Sequence, residues 1–307
     1  MLKYIILTAV LLTGGASDIC LAKLQVVATL SDLGWIAEQV GGDDVEVSIL
    51  CPGYQDPHYL PAKPSLARKM RSAELLVYNG LELEIGWLSV LIDAARNPRI
   101  KPGGRGELEC AMALDTVLEV PTGDVDRSRG DIHPLGNPHY LLDPRNGVAV
   151  GQLMAERLAE LDPDNADAYR RRAEALKAQM TSMMIQWREM LGDLSANSVI
   201  VYHQHWEYLL SWIGLNQVGA IEHRPGISPS PRHVKELINR GRSIDGVLVI
   251  AATWDNSKVS QEAARRMERP LIILPGAVGA TEEVTSYPEL FTVICRQLGE
   301  AASNGLN

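Results

Sequence analysis

Residues 166–191 read ADAYRRRAEALKAQMTSMMIQWREML, with Tyr169, Ala173, Leu176, Met180, Met183, Trp187 and Met190 at three- and four-residue spacing. That spacing lays one apolar stripe along a helix. The helix is about seven turns, or about 39 Å, long at 1.5 Å per residue. Arg170, Arg171, Glu174, Lys177 and Arg188 occupy the other face. Methionines at such spacing are packing side chains rather than a metal or cofactor box. The segment decides the fold because a strand–helix alternation runs up to it, stops, and starts again beyond it.

Upstream, Leu24 to Leu30 is an apolar, β-branched run suited to a strand buried on both faces. A helix over 32–41, a strand Val45–Leu50, a helix over 64–72, a strand Ala73–Tyr78 and a helix over 84–95 follow, with breaks at Gly41-Gly42, Pro52-Gly53, Asn79-Gly80 and Asn97-Pro98. Residues 121–138 are polar and without period, hence a loop. A helix Arg145–Leu161 leads to the long one. Downstream the pattern predicts strands at 199–202, 217–221, 247–250 and 271–274. Helices fall at 206–213, 231–241, 257–267 and about 287–301. The fold class is therefore α/β: two lobes, each a mostly parallel sheet flanked by helices, joined by one long helix. The expected division is 23–145 for the first lobe, 146–195 for the linking helices and 196–307 for the second lobe, with a ligand cleft between lobes.

Composition narrows the function. Lys and Arg number 29 against 38 Asp and Glu, a net charge of −9, so nothing favours a nucleic-acid backbone. Residues 1–22 combine a basic start, a short apolar core and a small-residue ending at Ala22, the pattern of a secretory leader removed after Ala22. A lipoprotein reading would need small residues before Cys20, where Asp18 and Ile19 stand. The expected location is the periplasm. Loss of Cys20 leaves Cys51, Cys110 and Cys295, either one disulfide plus a buried thiol or three thiols.

Three of the seven histidines share a setting. His58 lies in DPHYLP (56–61), beyond a strand; His139 lies in NPHYLLDP (137–144), ahead of a helix; His203 ends the strand 199–202. In open α/β sheets, ligands bind beyond the carboxyl ends of strands. A proline before each of the first two fixes the local backbone. Neutral imidazoles are common metal ligands, and nitrogen-rich sites favour Zn2+. Any one of these histidines alone reads as a cap or a satisfied core group; the three together read as a metal site. No His-Glu-x-x-His, Gly-x-Ser-x-Gly or P-loop is present, which argues against an enzyme.

The mature chain resembles, along essentially its whole length, the zinc- and manganese-type solute receptors of bacterial ABC importers, cluster A-I, zinc branch. The resemblance is carried by Asp56-Pro57-His58-Tyr59 with Pro64-Ser65, by NGLELE (79–84), by Asn137-Pro138-His139 with Leu142-Asp143-Pro144, by Tyr202-His203 with Trp206-Tyr208, and by EHRPGISPSP (222–231). It implies a monomeric extracytoplasmic receptor, not an enzyme, that holds one metal ion with His58, His139 and His203 and delivers it to a membrane permease. It implies Zn2+ over Mn2+, because manganese-type relatives often carry glutamate where His203 stands. Pro275 occupies about the place of the family's fourth, carboxylate ligand, which leaves water, Glu222, Asp255, Glu282 or Glu283 for that role. The His-rich loop of zinc relatives is reduced to His133. His205, two residues beyond His203, is expected on the same strand face and could substitute for it. His223 is expected at the cleft mouth and His233 in solvent, while Tyr59, Tyr140 and Asp143 are candidates to orient the imidazoles. The rival readings are a secreted zinc-dependent hydrolase and an adhesin-like protein with a structural metal.

Overall fold

The computed structural model describes residues 23–120, 133–194, 197–222 and 226–305; residues 1–22, expected as a leader, most of the expected loop 121–138, and His223 lie outside them. The first sheet comprises β1 (Leu24–Leu30), β2 (Val45–Cys51), β3 (Leu75–Tyr78) and β4 (Glu107–Glu109), all parallel, in the order β2-β1-β3-β4. Helices α1 (Ser31–Gly41), α2 (Pro64–Met70) and α3 (Leu88–Ala95) make its crossovers. The second sheet comprises β5 (Ser198–Val201), β6 (Asn216–Ala220), β7 (Val247–Ala252) and β8 (Leu271–Leu274), also parallel, in the order β6-β5-β7-β8. Both sheets thus have the same topology. In each, the winding reverses beside the first strand, and such a switch point opens a crevice at the carboxyl ends.

Between the sheets run α4 (Pro144–Leu161) and α5 (Ala166–Leu191). On α5, Tyr169, Ala173, Leu176, Met180, Trp187 and Leu191 are buried, whereas Met190 is 45% exposed. Leu191, four residues beyond Trp187, ends the stripe, because a true helical period of 3.6 drifts away from position 190. Trp187 packs against Trp212 of α6 (Glu207–Ile213) and against Phe291 of α9 (Tyr287–Gly305), with ring centroids 6.2 and 5.3 Å away. Its indole N–H donates to Thr292 Oγ1 (2.9 Å). One apolar core consequently runs from the first sheet through α5 and α9 to the inner face of the second sheet. A separate cluster lies between that sheet's outer face and α7 (Pro231–Ser243) and α8 (Ser257–Met267).

The lobes also meet directly. Val278 N–H donates to the buried Asp32 carboxylate (2.8 Å), and the Tyr287 hydroxyl donates to Leu141 O. Gly53 lies so close that an added Cβ would stand 1.8 Å from Val278 O.

The structure departs from the sequence pattern at two elements of the first lobe. The sequence pattern missed β4, whose Glu-Leu-Glu offers no apolar run. The predicted helix 84–95 begins only at Leu88, since residues 81–87 form turns. Of the two alternatives for the cysteines, the second holds among the described residues: Cys51, Cys110 and Cys295 are three free, buried thiols. Burial pushes the Cys51 and Cys295 thiols up to about 12, which makes them unreactive. No described helix is long and apolar enough to cross a membrane.

Candidate metal centre

Beyond β2 the chain makes a short 3-10 turn, Pro57–Tyr59, capped by Asp56. The Asp56 carboxylate accepts from His58 N–H (3.0 Å) and from His58 Nδ1–H (2.8 Å). Trp87 pins the turn by donating its indole N–H to Pro57 O (2.8 Å). A carboxylate can only accept here, so Nδ1 carries the proton and Nε2 presents a lone pair.

His139 is held through its backbone. Its N–H donates to Asn137 Oδ1 (2.9 Å), Asn79 Nδ2 donates to Pro138 O (2.9 Å), and the Tyr140 hydroxyl donates to Asn79 O (2.8 Å). The buried Nε2 of His139 has no hydrogen-bond partner. Burial, with four surrounding imidazoles, holds this ring well below the usual histidine range and therefore neutral.

His203 follows β5, and its Nδ1–H donates to Glu222 Oε2 (2.7 Å) just beyond β6. Burial lowers the His203 pKa, but the Glu222 hydrogen bond and charge outweigh burial and raise it. Asp56 and Glu222 thus act alike on opposite sides of the cleft. Each orients one imidazole through Nδ1 and leaves Nε2 for a ligand, the carboxylate–histidine arrangement of metal sites.

The three rings converge. Centroids lie 5.1 Å apart for His58 and His139, 5.7 Å for His58 and His203, and 5.9 Å for His139 and His203. They line a cavity of about 160 Å³ with Asp56, Glu222, Asp255 and Trp254. Two further histidines join them. His133 Nε2 stands 3.2 Å from His58 Nε2. Among the described residues, the nitrogens that fall within 4.8 Å of one another are those of His58, His133 and His139, a group that His203 does not join. His205 is 2% exposed, with neither ring nitrogen partnered, 5.5 Å from His139 and 5.6 Å from His203.

The remaining expectations divide. Glu222 and Asp255 line the cavity, but Glu222 accepts from His203 and Asp255 accepts from Ala252 N–H (2.7 Å). Burial pushes the Asp255 carboxyl up to about 7. Glu282 and Glu283 are exposed and do not line the cavity, and Glu283 pairs with Arg296. Beside Pro275, Trp254 fills the space so closely that a Cβ on Gly276 would lie 2.2 Å from its ring. His233 is half-buried and donates Nε2–H to Ala220 O (2.8 Å) rather than facing solvent. Tyr140 and Asp143 position backbone rather than rings: Asp143 caps α4 and pairs with Arg145. The residues that orient the imidazoles, Asp56 and Glu222, were not expected in that role.

The family model described as zinc-uptake complex component A, periplasmic, matches residues 26–301. The chain is 28% identical over 198 residues to the manganese ABC transporter substrate-binding lipoprotein ScaA of Streptococcus gordonii, covering 63% of this chain and 60% of that protein. It therefore spans about three-fifths of that relative's length. Identity to the manganese ABC transporter substrate-binding lipoprotein PsaA of Streptococcus pneumoniae is 24% over 225 residues, covering 72% of this chain and 69% of that one. The crystal structure of ZnuA superimposes with a TM-score of 0.75 at 25% identity, over 92% of this chain and 100% of that one. With twin parallel sheets meeting at a cleft of histidines, and a match that runs through both, the chain belongs to the periplasmic zinc-uptake component A family, whose members are substrate-binding transport proteins and not enzymes.

Proposed function

We propose that this chain is the extracytoplasmic receptor of an ABC importer: a monomer that captures Zn2+ with His58, His139 and His203 and hands it to a membrane permease. The observation that carries this reading is the approach of those three rings to within 5.1–5.9 Å from loops on both sheets. Two of the rings have Nδ1 already committed to a carboxylate. ScaA and PsaA are named for manganese. The preference for zinc here rests on donor chemistry, because imidazole suits zinc whereas manganese favours oxygen. The leader-like residues 1–22 support export to the periplasm, although the streptococcal relatives are named lipoproteins.

The test is metal analysis and competitive titration of the chain without residues 1–22. One zinc per chain, exchangeable with chelator and retained against excess Mn2+, is the expected result. Mn2+ displacing zinc at equal concentration, or no stoichiometric binding, would sink the proposal. Glu222→Gln keeps the shape but weakens the acceptor for His203 Nδ1–H. A loss of about 10–100-fold in zinc affinity is expected, as for other partners of metal-bound histidines, with the melting temperature of the metal-free protein little changed. Unaltered affinity would mean that His203 does not bind the ion.

A further inference from the structure

We propose that His133 is the fourth ligand of this site, so that Zn2+ is enclosed by four imidazoles. The inference rests on the reading of His58, His139 and His203 above and adds to it the residue that sets specificity.

The geometry is that of a ligand pair. Nitrogens about 2.0–2.1 Å from a tetrahedral zinc stand about 3.3 Å from each other, and the Nε2 atoms of His58 and His133 are 3.2 Å apart. His58 donates its Nδ1–H to Asp56, so its Nε2 accepts a hydrogen bond from His133 Nε2, and a bound ion would take the place of that shared proton. The unpartnered His139 Nε2 is buried beside them, and the nitrogens of these three residues fall within 4.8 Å of one another. His203, from the other lobe, has its ring centroid 5.7 Å from that of His58 and 5.9 Å from that of His139, and it is the fourth imidazole of the proposed shell.

His133 is placed by local structure. Gly136 N–H donates to His133 O (3.1 Å), closing a turn. Gly136 has φ +106°, where a side chain would be strained, and an added Cβ would lie 2.4 Å from Val117. Asn137 N–H then donates to Leu118 O (2.8 Å), which ties the turn to the body of the protein. The competing oxygen donors are engaged or remote: Glu222 holds His203, Asp255 caps Ala252 N–H, and Pro275 offers no carboxylate. A shell of four neutral nitrogens leaves the full +2 charge on the ion and supplies none of the oxygen that manganese prefers.

X-ray absorption at the zinc edge tests this on the metal-loaded chain, alongside competition titration of the chain and of His133→Ala and His133→Asn. Four imidazoles are expected in the parent and three plus one lighter oxygen donor in each variant. Zinc affinity should fall about tenfold or more, in line with losses at metal-site residues, with a narrowed preference over Mn2+. Circular dichroism of the variants separates this from misfolding. A parent shell of three imidazoles plus oxygen, or variants with undiminished affinity and preference, would overturn the role of His133 and leave the receptor reading standing. A parent that binds no zinc would remove both.

Discussion

His139→Ala is expected to lower zinc affinity roughly a thousandfold or more, while the metal-free protein melts within a few degrees of the parent or slightly above it. His139 lies at the middle of the cluster, with ring centroids 5.1, 5.9, 6.3 and 5.5 Å from those of His58, His203, His133 and His205. Changing a residue that merely supports a ligand costs about 10–100-fold in affinity, so loss of this proposed central ligand should exceed that. Stability moves differently. A buried polar atom without a partner costs about 1–3 kcal/mol, and His139 Nε2 is such an atom. Alanine removes that cost and loses some packing, beside a cavity that already exists. Saturating zinc at 100 times Kd should add about 2.7 kcal/mol to the parent and nothing to the variant. Calorimetric titration and melting with and without chelator measure both halves. A variant that binds zinc within tenfold of the parent would disprove the assignment of His139.

The parts of the site legible in the sequence are those tied to strand ends and to local rigidity. His58 and His139 stood out because each follows a proline, and His203 because it ends an apolar strand. Their partners were hidden. Asp56 is two residues from His58, but only the 3-10 turn folds its carboxylate back onto Nδ1. Glu222 meets His203 only because β6 lies beside β5. His133 sits in a polar stretch without period, and its approach to His58 depends on the Gly136 turn and on the loop after β2. For His205 the assumption of a continuing strand fails. Its N–H donates to His203 O (3.0 Å), the chain turns, and the ring packs 4.3 Å from Trp206.

The fold was more legible because central parallel strands are apolar throughout. The runs 24–30 and 247–252 are buried on both faces and bear that signature. An edge strand lacks it. β4 joins the sheet through register with β3 alone, pairing Leu76 with Glu107 and Tyr78 with Glu109. The late start of α3 has another cause. Leu81 and Glu82 have φ +50° and +64°, a conformation that costs ordinary side chains about 1 kcal/mol or more each. Helical periodicity cannot reveal such a turn, because what holds it is one side chain reaching backward.

That side chain is Glu84, and its replacement by alanine should destabilise the protein by about 3 kcal/mol or more. Its buried carboxylate accepts from Thr29 Oγ1 (2.6 Å), Asn79 N–H (2.7 Å) and Gly80 N–H (3.2 Å). Alanine leaves three buried donors unmet, each costing about 1–3 kcal/mol where water cannot enter. Asn79 would also loosen, and with it the bond from its side chain to Pro138 O that positions His139. Zinc affinity should therefore fall with stability. The pH response identifies the charge. Burial pushes the Glu84 carboxyl up to about 7, outweighing the hydrogen bonds from Thr29, Asn79, Gly80 and its own N–H that lower it. A carboxyl raised on folding adds stability that is full below its unfolded pKa of about 4.5 and lost as pH rises through about 7. Glutamine keeps the size but does not titrate. Glu84→Gln should accordingly cost more at pH 5.5 than at pH 8, by an amount approaching 2 kcal/mol on the linkage relation. Urea unfolding of the metal-free protein at both pH values measures this. An equal cost at the two values would mean that the carboxylate is fully ionised in the fold, held by its donors against burial.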